Sequence, residues 1–375
     1  MKIVHFSDTH LGYNDLDILN DENINQREAD FYDAFSQVVQ EIKKIKPDYI
    51  IHTGDLFHRA SPSNRAITFA LEQFKIINEL NIPFIMIAGN HSTPRTNLSS
   101  PIMKIFENFE NIYISYSQEY KKIEFNNIVF HTLPHMNDES KALEQIELCE
   151  TQVSTDKKNL MMMHCSVGSH YLMQEFGEWV YPKDKESLFE KMDYVALGHW
   201  HGFGKVGKHD NVFYSGSTER TSLNDKRNSK GFVVVTLDDD SCELTTEYKE
   251  IYIRPIVSKT IDAEEYESSL SELSFEDTLN AIVEVKLINL TPLQSIDIQN
   301  VEIIKLFENA MSVTIKREFK ETSSEESGVD IESLSLQQYF LEHIKEDASE
   351  VEYERLKDKV DGLFSEYEES YDDAQ

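Results

Sequence analysis

Short apolar, β-branched runs alternate with longer segments of helical periodicity over the first 250 residues, the pattern of βα units feeding a layered sheet. The runs at 3–6 (IVHF), 49–53 (YIIHT), 83–88 (PFIMIA), 128–133 (IVFHTL), 160–164 (LMMMH) and 194–199 (YVALGH) predict strands. Between them, helical spacing predicts helices over 25–44 and 63–79, the second with Ser63 as N-cap after Pro62. A further helix is expected over 99–110. Ile67, Leu71, Phe74 and Ile77 recur at three- and four-residue steps, as a core-facing stripe does.

From about 211 the helical spacing stops. VFYSGS, GFVVVTL and CELTTEYKEIYI follow with little room for helices, and predict a second sheet that completes an α/β sandwich of four layers, αββα. Residues 253–318 read as a small α/β domain, with AIVEVKLINL and MSVTIKREF as strands and a helix around 298–309 between them. The Ser/Glu-rich segment KETSSEESG marks a flexible linker over 319–334. The remainder, 335–375, predicts a helical tail: Leu336, Tyr339, Phe340 and Ile344 share one helical face, and Leu356, Val360, Leu363, Phe364 and Tyr367 share another. The first and largest part of this division is 1–252. No internal repeat is visible.

Composition narrows the class. The 375 residues are 40% apolar, enough for a sizeable core. MKIVHFSDTH turns polar within one strand length, so neither a signal peptide nor a membrane span is expected there, and the chain reads as soluble and cytosolic. Cys149, Cys165 and Cys242 are odd in number and widely spaced, which suits free thiols in a reducing compartment better than a disulfide framework or a zinc ribbon. The net charge of −32 argues against a protein that grips DNA by broad electrostatics. That charge is uneven: 321–375 holds 18 acidic and 4 basic side chains, whereas 205–230 carries Lys205, Lys208, Arg220, Lys226, Arg227 and Lys230 against Asp210, Glu219 and Asp225. A halophilic origin also gives acidity, but Lys outnumbers Arg 27 to 9 here.

Several predicted strands end in a residue able to bind a metal: Asp8 and His10 in SDTHLGY, Asp55 in GDLFH, Asn90 and His91 in GNH, His164 in MMMHCS, His199 and His201 in GHWH. Each block alone is weak, since a single strand-end histidine is more often a satisfied core or surface residue. Ligands of open α/β sheets collect at strand carboxyl ends, so residues far apart in sequence can meet there. Carboxylate and amide oxygens mixed with imidazoles suit Mn, Fe or Zn in five- or six-coordinate geometry, Mn(II) first, rather than a closed thiolate zinc site. Strand alternation puts Asp8 with His10, and His199 with His201, on one side. Asp55, after Gly54, can bridge two ions.

The five blocks D-x-H, G-D, G-N-H, an isolated H and G-H-x-H together resemble the calcineurin-like metallophosphoesterase superfamily over roughly residues 1–250. Within it, SDTHLGY, READFYDAF, GDLFH, GNHSTPR, ALGHWH and YSGSTER are most similar to the SbcD and Mre11 nucleases of double-strand-break repair. The resemblance implies that Asp8, His10, Asp55 and His201 hold one divalent ion, and Asp55, Asn90, His164 and His199 a second. His91 then stabilises or protonates the departing oxygen during phosphodiester hydrolysis, and His58 assists it. It also implies that 253–318 is a cap that selects DNA, that the chain is a homodimer through helices near 63–110, and that the tail docks on the coiled-coil ATPase of the complex, of the SbcC/Rad50 type.

One departure stands out. The family usually follows GNH with an acid; here position 92 is Ser, which leaves the orientation of His91 to come from elsewhere. Arg59, Arg65, Arg95, Arg220 and Arg227 are the candidates for contacts to backbone phosphates. Two rival readings keep part of this picture: a phosphomonoesterase or cyclic nucleotide phosphodiesterase with the same metals, and a module that binds DNA without cutting it.

Overall fold

The computed structural model describes residues 1–94, 100–172, 178–222, 229–238 and 243–320, with six isolated helical positions beyond them: Leu341, Tyr353, Leu356, Lys357, Lys359 and Val360. Arg95, Arg227, Cys242 and most of both tail faces lie outside the described residues.

The catalytic part carries β1 (Lys2–Phe6), β2 (Tyr49–His52), β3 (Phe84–Ile87), β4 (Ile112–Ser115), β5 (Lys121–Glu124), β6 (Ile128–Leu133), β7 (Lys158–His164), β8 (Tyr194–Gly198), β9 (Gly204–Lys205), β10 (Val212–Tyr214), β11 (Gly231–Leu237) and β12 (Leu244–Glu250). They form two six-stranded sheets, ordered β12-β11-β1-β2-β3-β4 and β5-β6-β7-β8-β10-β9. The sheets pack face to face on Ile3, Ile51, Ile85, Ile87, Ile128, Phe130, Leu160, Met162, Tyr194 and Val233. Helices α1 (Gln26–Ile45) and α2 (Asn64–Glu79) cover the outer face of the first sheet through Phe35, Val38, Ile42, Phe74 and Ile77, and α3 (Glu139–Thr151) covers the second through Ala142, Ile146 and Cys149. The architecture is the αββα sandwich.

β1, β2, β3, β6, β7 and β8 have helix or sheet on both faces, which is why they read as unbroken apolar runs. α1 and α2 start where the sequence offers a cap. Asn25 accepts from the N–H groups of Arg27 and Glu28, and Ser63 from Ala66.

Two expectations need correction. The strands after 211 do not make a sheet of their own. β10 lies parallel to β8, while β11 and β12 extend the first sheet beside β1, because the continuous run FVVVTL is buried on both faces and suits an interior position. The helix expected over 99–110 is, in its described part, a five-residue 3₁₀ turn at Ile102–Phe106, capped by Pro101 without a side-chain hydrogen bond.

A third sheet, β13 (Ile256–Asp262), β14 (Ile282–Leu290) and β15 (Ser312–Phe319), is wholly parallel, with α4 (Tyr266–Ser271), α5 (Pro292–Asp297) and α6 (Asn300–Leu306) in its crossovers. Its core of Ile261, Val283, Val285, Leu287, Ile303 and Phe307 is separate from the sandwich. No described helix is long and apolar enough to cross a membrane. Cys149 and Cys165 are buried free thiols.

Candidate metal centre

The carboxyl ends of β1, β2 and β3 meet those of β7 and β8 along one rim of the sandwich. The backbone ties them directly: Asp8 N–H donates to the Gly54 carbonyl at 3.0 Å, His10 N–H to the Asp55 carbonyl at 3.0 Å, and His199 N–H reaches both Asp8 carboxylate oxygens at 3.1 and 3.2 Å. Glycine is required for this approach. A Cβ on Gly54 would stand 2.3 Å from His164 Nδ1, and one on Gly89 would stand 2.2 Å from Asp55 Oδ1.

Every residue assigned to the site by sequence, apart from Arg95 and Arg227, can now be located. Three groups of donors lie within 4.8 Å of one another: Asp8, His10 and His201; Asp8, Asp55 and His164; and His10, His58 and His91. Asp8 therefore sits between the first two groups, a shared position that sequence reasoning gave to Asp55 alone. His10 Nε2 lies 3.1 Å from His201 Nε2. His164 donates its Nδ1–H to the Thr53 carbonyl at 2.8 Å, which turns Nε2 toward Asn90 Oδ1 (2.9 Å) and Asp55 Oδ2 (3.2 Å). His199 is in none of the three groups; its Nε2 lies 3.1 Å from Glu178 Oε1, an acid that also accepts from the Ser166 hydroxyl.

His91 owes its orientation to the backbone. Its Nδ1–H donates to the His58 carbonyl at 2.7 Å and its own N–H donates to Asp55 Oδ1 at 2.9 Å. The rings of His58 and His91 stack with centroids 5.3 Å apart. Ser92 is buried with a hydroxyl that has no hydrogen-bond partner, so it does not replace the missing acid. The support for His91 thus comes from the main chain at 58.

Burial and mutual charge set the protonation of the cluster. Burial pushes Asp8 up to about 7, reinforced by the charge of Asp55 and opposed by His164. Asp55 is also raised by burial, but the charge and hydrogen bond of His164 outweigh this and hold it well below the carboxylate range. His164 is lowered by burial and raised more strongly by Asp55, to about 9. Burial, then the neighbouring His201, keeps His10 well below the usual imidazole value.

The residues fit a divalent metal. Among the described residues, the two buried carboxylates Asp8 and Asp55 face imidazoles, a hydroxyl and backbone N–H groups rather than Lys or Arg, and His10 Nδ1 is buried without a hydrogen-bond partner. Buried charge left in that state is costly, and oxygen and imidazole donors converging on one point are what Mn, Fe or Zn takes.

Other strand histidines show the ordinary alternative. His5 lies 2.9 Å from the Tyr194 hydroxyl and 3.0 Å from Thr53 Oγ1, and His131 bridges Tyr120 and Asn159: both are satisfied core residues. Sequence reasoning missed Glu178 and His135. His135 follows β6 at the same rim, with burial first and His164 second lowering it to about 4. Its strand-end position was the available signal; Glu178 gave none.

Of the arginines, Arg59 is exposed beside His58. Arg65 turns to Glu28 at 3.1 Å, and Arg220 donates to the Arg254 carbonyl at 3.0 Å.

The calcineurin-like phosphoesterase model matches residues 1–203. The DNA double-strand break repair protein Mre11 of Methanococcus maripaludis is 31% identical over 253 residues, covering 64% of this chain and 64% of that protein. Those of Methanocaldococcus jannaschii (29% identical, 76% of this chain and 74% of that protein) and Thermoplasma acidophilum (28%, 72% and 70%) are also similar. The matches span roughly two thirds to three quarters of these relatives' own length, 64 to 74%. The chain belongs to the calcineurin-like phosphoesterase family, on its Mre11/SbcD-type branch.

Proposed function

We propose that this protein is a metal-dependent DNA nuclease, exonuclease and endonuclease, that processes double-strand-break ends. The observation that carries the reading is one buried rim that gathers Asp8, His10, Asp55, Asn90, His164 and His201, with His91 held beside them by the His58 carbonyl. The relatives' name, DNA double-strand break repair protein, points to DNA as the phosphodiester.

Two divalent ions are expected, Mn(II) first, with Asp8, His10, Asp55 and His201 holding one and Asp55, Asn90, His164 and His199 the other. When bound, such ions lower the pKa of water and neutralise charge on a phosphate oxygen. The chain's own residues orient the substrate and manage the proton. His91, with Nδ1–H committed to the main chain, presents its other nitrogen, which in the imidazolium form can donate its proton to a departing oxygen and leave the ring neutral. Arg59, exposed beside His58, is the candidate among the described arginines for a contact to a phosphate. In this reading the 253–318 domain caps and selects DNA, the chain pairs as a homodimer, and the acidic tail docks on a coiled-coil ATPase of the SbcC/Rad50 type.

The test is purified full-length protein on end-labelled duplex, hairpin and single-stranded DNA with Mn, Mg or Zn, beside a small phosphomonoester. Mn-dependent cutting of DNA supports the proposal. Fast phosphomonoester turnover with intact DNA would replace it with a phosphatase.

A further inference from the structure

A buried ion-pair network joins three stretches that are distant in sequence: α1, the turn after β10 and the segment entering the small domain. Asp30 is its centre. Its Oδ1 and Oδ2 accept from Arg254 Nη2 and Nε, both at 2.7 Å, and Oδ2 accepts from Arg27 Nη1 at 2.7 Å. Arg27 Nη2 reaches Glu219 Oε1 at 3.4 Å and the Arg220 carbonyl at 2.7 Å. The side chains of Arg27, Asp30 and Glu219 are 4%, 6% and 1% exposed. Bidentate pairing of this kind fixes direction as well as distance.

The network has two outlets. On one side Arg254 Nη1 donates to the Asn280 carbonyl at 2.7 Å, inside the small domain just before β14, while Arg220 Nη1 holds the Arg254 carbonyl. On the other, the held stretch Glu219–Thr221 ends at the rim. Thr221 Oγ1 lies 3.0 Å from His201 Nδ1, and the Ser217 hydroxyl donates to the Glu219 carbonyl at 2.8 Å. The His201 carbonyl accepts from Ser217 N–H at 3.1 Å and from the buried Lys230 ammonium at 2.7 Å. With Nδ1 taken by Thr221, His201 aims Nε2 at His10.

We infer that Arg27 and Asp30 are positioning residues that hold the stretch orienting the His201 imidazole, and that Arg254 ties the small domain to the same rigid block. Polar groups on the buried face of an amphipathic helix are otherwise a liability, and α1 places Arg27 and Asp30 there. The READ stretch in α1, STER after β10 and Arg254-Pro255 are thereby parts of one device. It rests on reading His201 as a metal ligand, though not on DNA being the substrate.

The test uses the full chain stripped of metal and titrated calorimetrically with MnCl2. Arg27→Gln weakens one of two Mn binding events by about tenfold or more and leaves the other unchanged, the size seen when a metal ligand loses its orienting partner. Thr221→Val, which removes only the hydroxyl at His201, does the same and covers the case in which Arg27→Gln fails to fold. Arg254→Ala leaves both Mn events in place and raises amide hydrogen exchange across 256–262 and 280–290 about tenfold. A general loss of structure would weaken both metal sites alike. Equal weakening, two unchanged Mn events in the first two variants, or unchanged exchange in the third overturns the inference. Wild-type protein that binds two ions yet cuts no DNA removes the nuclease reading alone.

Discussion

Gly89→Ala is the sharpest probe of the site, because it adds one methyl group at a position where the backbone needs no glycine conformation and the only obstacle is steric. The new Cβ would stand 2.2 Å from Asp55 Oδ1 and 2.6 Å from the Asp55 amide nitrogen, so side-chain rotation alone does not clear it. Ordinary Cβ contacts begin near 3.4 Å, which requires a displacement of about 1.2 Å. Asp55 is held by His91 N–H on one oxygen at 2.9 Å and by His164 on the other at 3.2 Å, and metal–ligand distances tolerate only about ±0.2 Å. The expected loss of Mn affinity is therefore at the upper end of the 10- to 100-fold range for disturbed ligand geometry, about 2.7 kcal/mol for 100-fold. The cost in fold stability is about 1–3 kcal/mol, as for one extra methyl in a packed interior. Gly207→Ala is the control: its φ is +52° with nothing within 4 Å, so it costs about 1–2 kcal/mol of backbone strain and leaves the metal alone. Calorimetric titration of both metal-free variants, with thermal unfolding to confirm that each is folded, decides the matter. Mn binding by folded Gly89→Ala within threefold of wild type would refute the placement of Asp55 at the metal.

His91→Ala is expected to retain both metal ions, measured by elemental analysis after gel filtration, while turnover falls about 10²- to 10⁴-fold as for loss of an acid–base group; normal activity with lost metal reverses the assignment. His58→Ala keeps the carbonyl that orients His91 and removes the ring stacked on it, so its turnover should fall no more than about tenfold. Metal uptake should strengthen with pH. Asp8 at about 7 and His164 at about 9 are protonated below those values in the metal-free chain, an ion must displace those protons, and calorimetry in buffers of differing ionisation enthalpy should record proton release at pH 7. Affinity that is flat between pH 6 and 9 would contradict this. Truncation after Phe319 should leave Mn-dependent cleavage of short DNA nearly intact and abolish co-purification with the ATPase; full-strength binding by the truncated chain rejects the tail as the docking segment.

The legible part of this protein lay in its periodicities and in its strand ends. α1 and α2 were readable to within a residue because Asn25 and Ser63 cap stripes that a flat sheet must cover. Strands of continuous apolar residues were equally visible, since burial on both faces leaves no polar alternation. The pairing of β11 with β1 was not, because a sequence of three successive strands is compatible with one new sheet or with additions to old ones, and only the shape of the two open edges decides. β5 was missed: in KKIE only Ile123 is buried, so an edge strand carries one apolar position and looks like a loop. Of the candidate site, the donors that converge were legible and their partners were not. The shared place of Asp8, the carbonyl that holds His91 and the Glu178 carboxylate at His199 depend on loops folding back from other strands.

Asp8 and His10 come together, but not through strand alternation. Alternation along a strand predicts that residues two apart share a face, but β1 ends at Phe6, and Asp8 and His10 lie past it with φ of +51° and +42°. Asp55 and His199 also take positive φ, at +55° and +97°. Left-handed backbone costs a residue with a side chain on the order of 1–2 kcal/mol, least for Asn and Asp; Asp8 and Asp55 are of that tolerant type, as are Asn23, Asn81, Asn280 and Asn289 elsewhere, whereas His10 and His199 are not. Asp8, His10, Asp55 and His199 adopt it within one rim of the candidate site, where burial also raises Asp8 and depresses His10. The strain has a geometrical use: a strand that simply continued would carry the next side chain to the opposite face, whereas a left-handed turn at the strand end folds the chain back and lets Asp8 face both His201 and Asp55. Strands buried on both faces supply the rigidity that keeps such turns in place, and a divalent ion bound only by the folded form returns stability that grows with the logarithm of its concentration over its dissociation constant. The strained turns and the buried carboxylates thus occur together at the one rim where bound divalent ions would offset the cost of both.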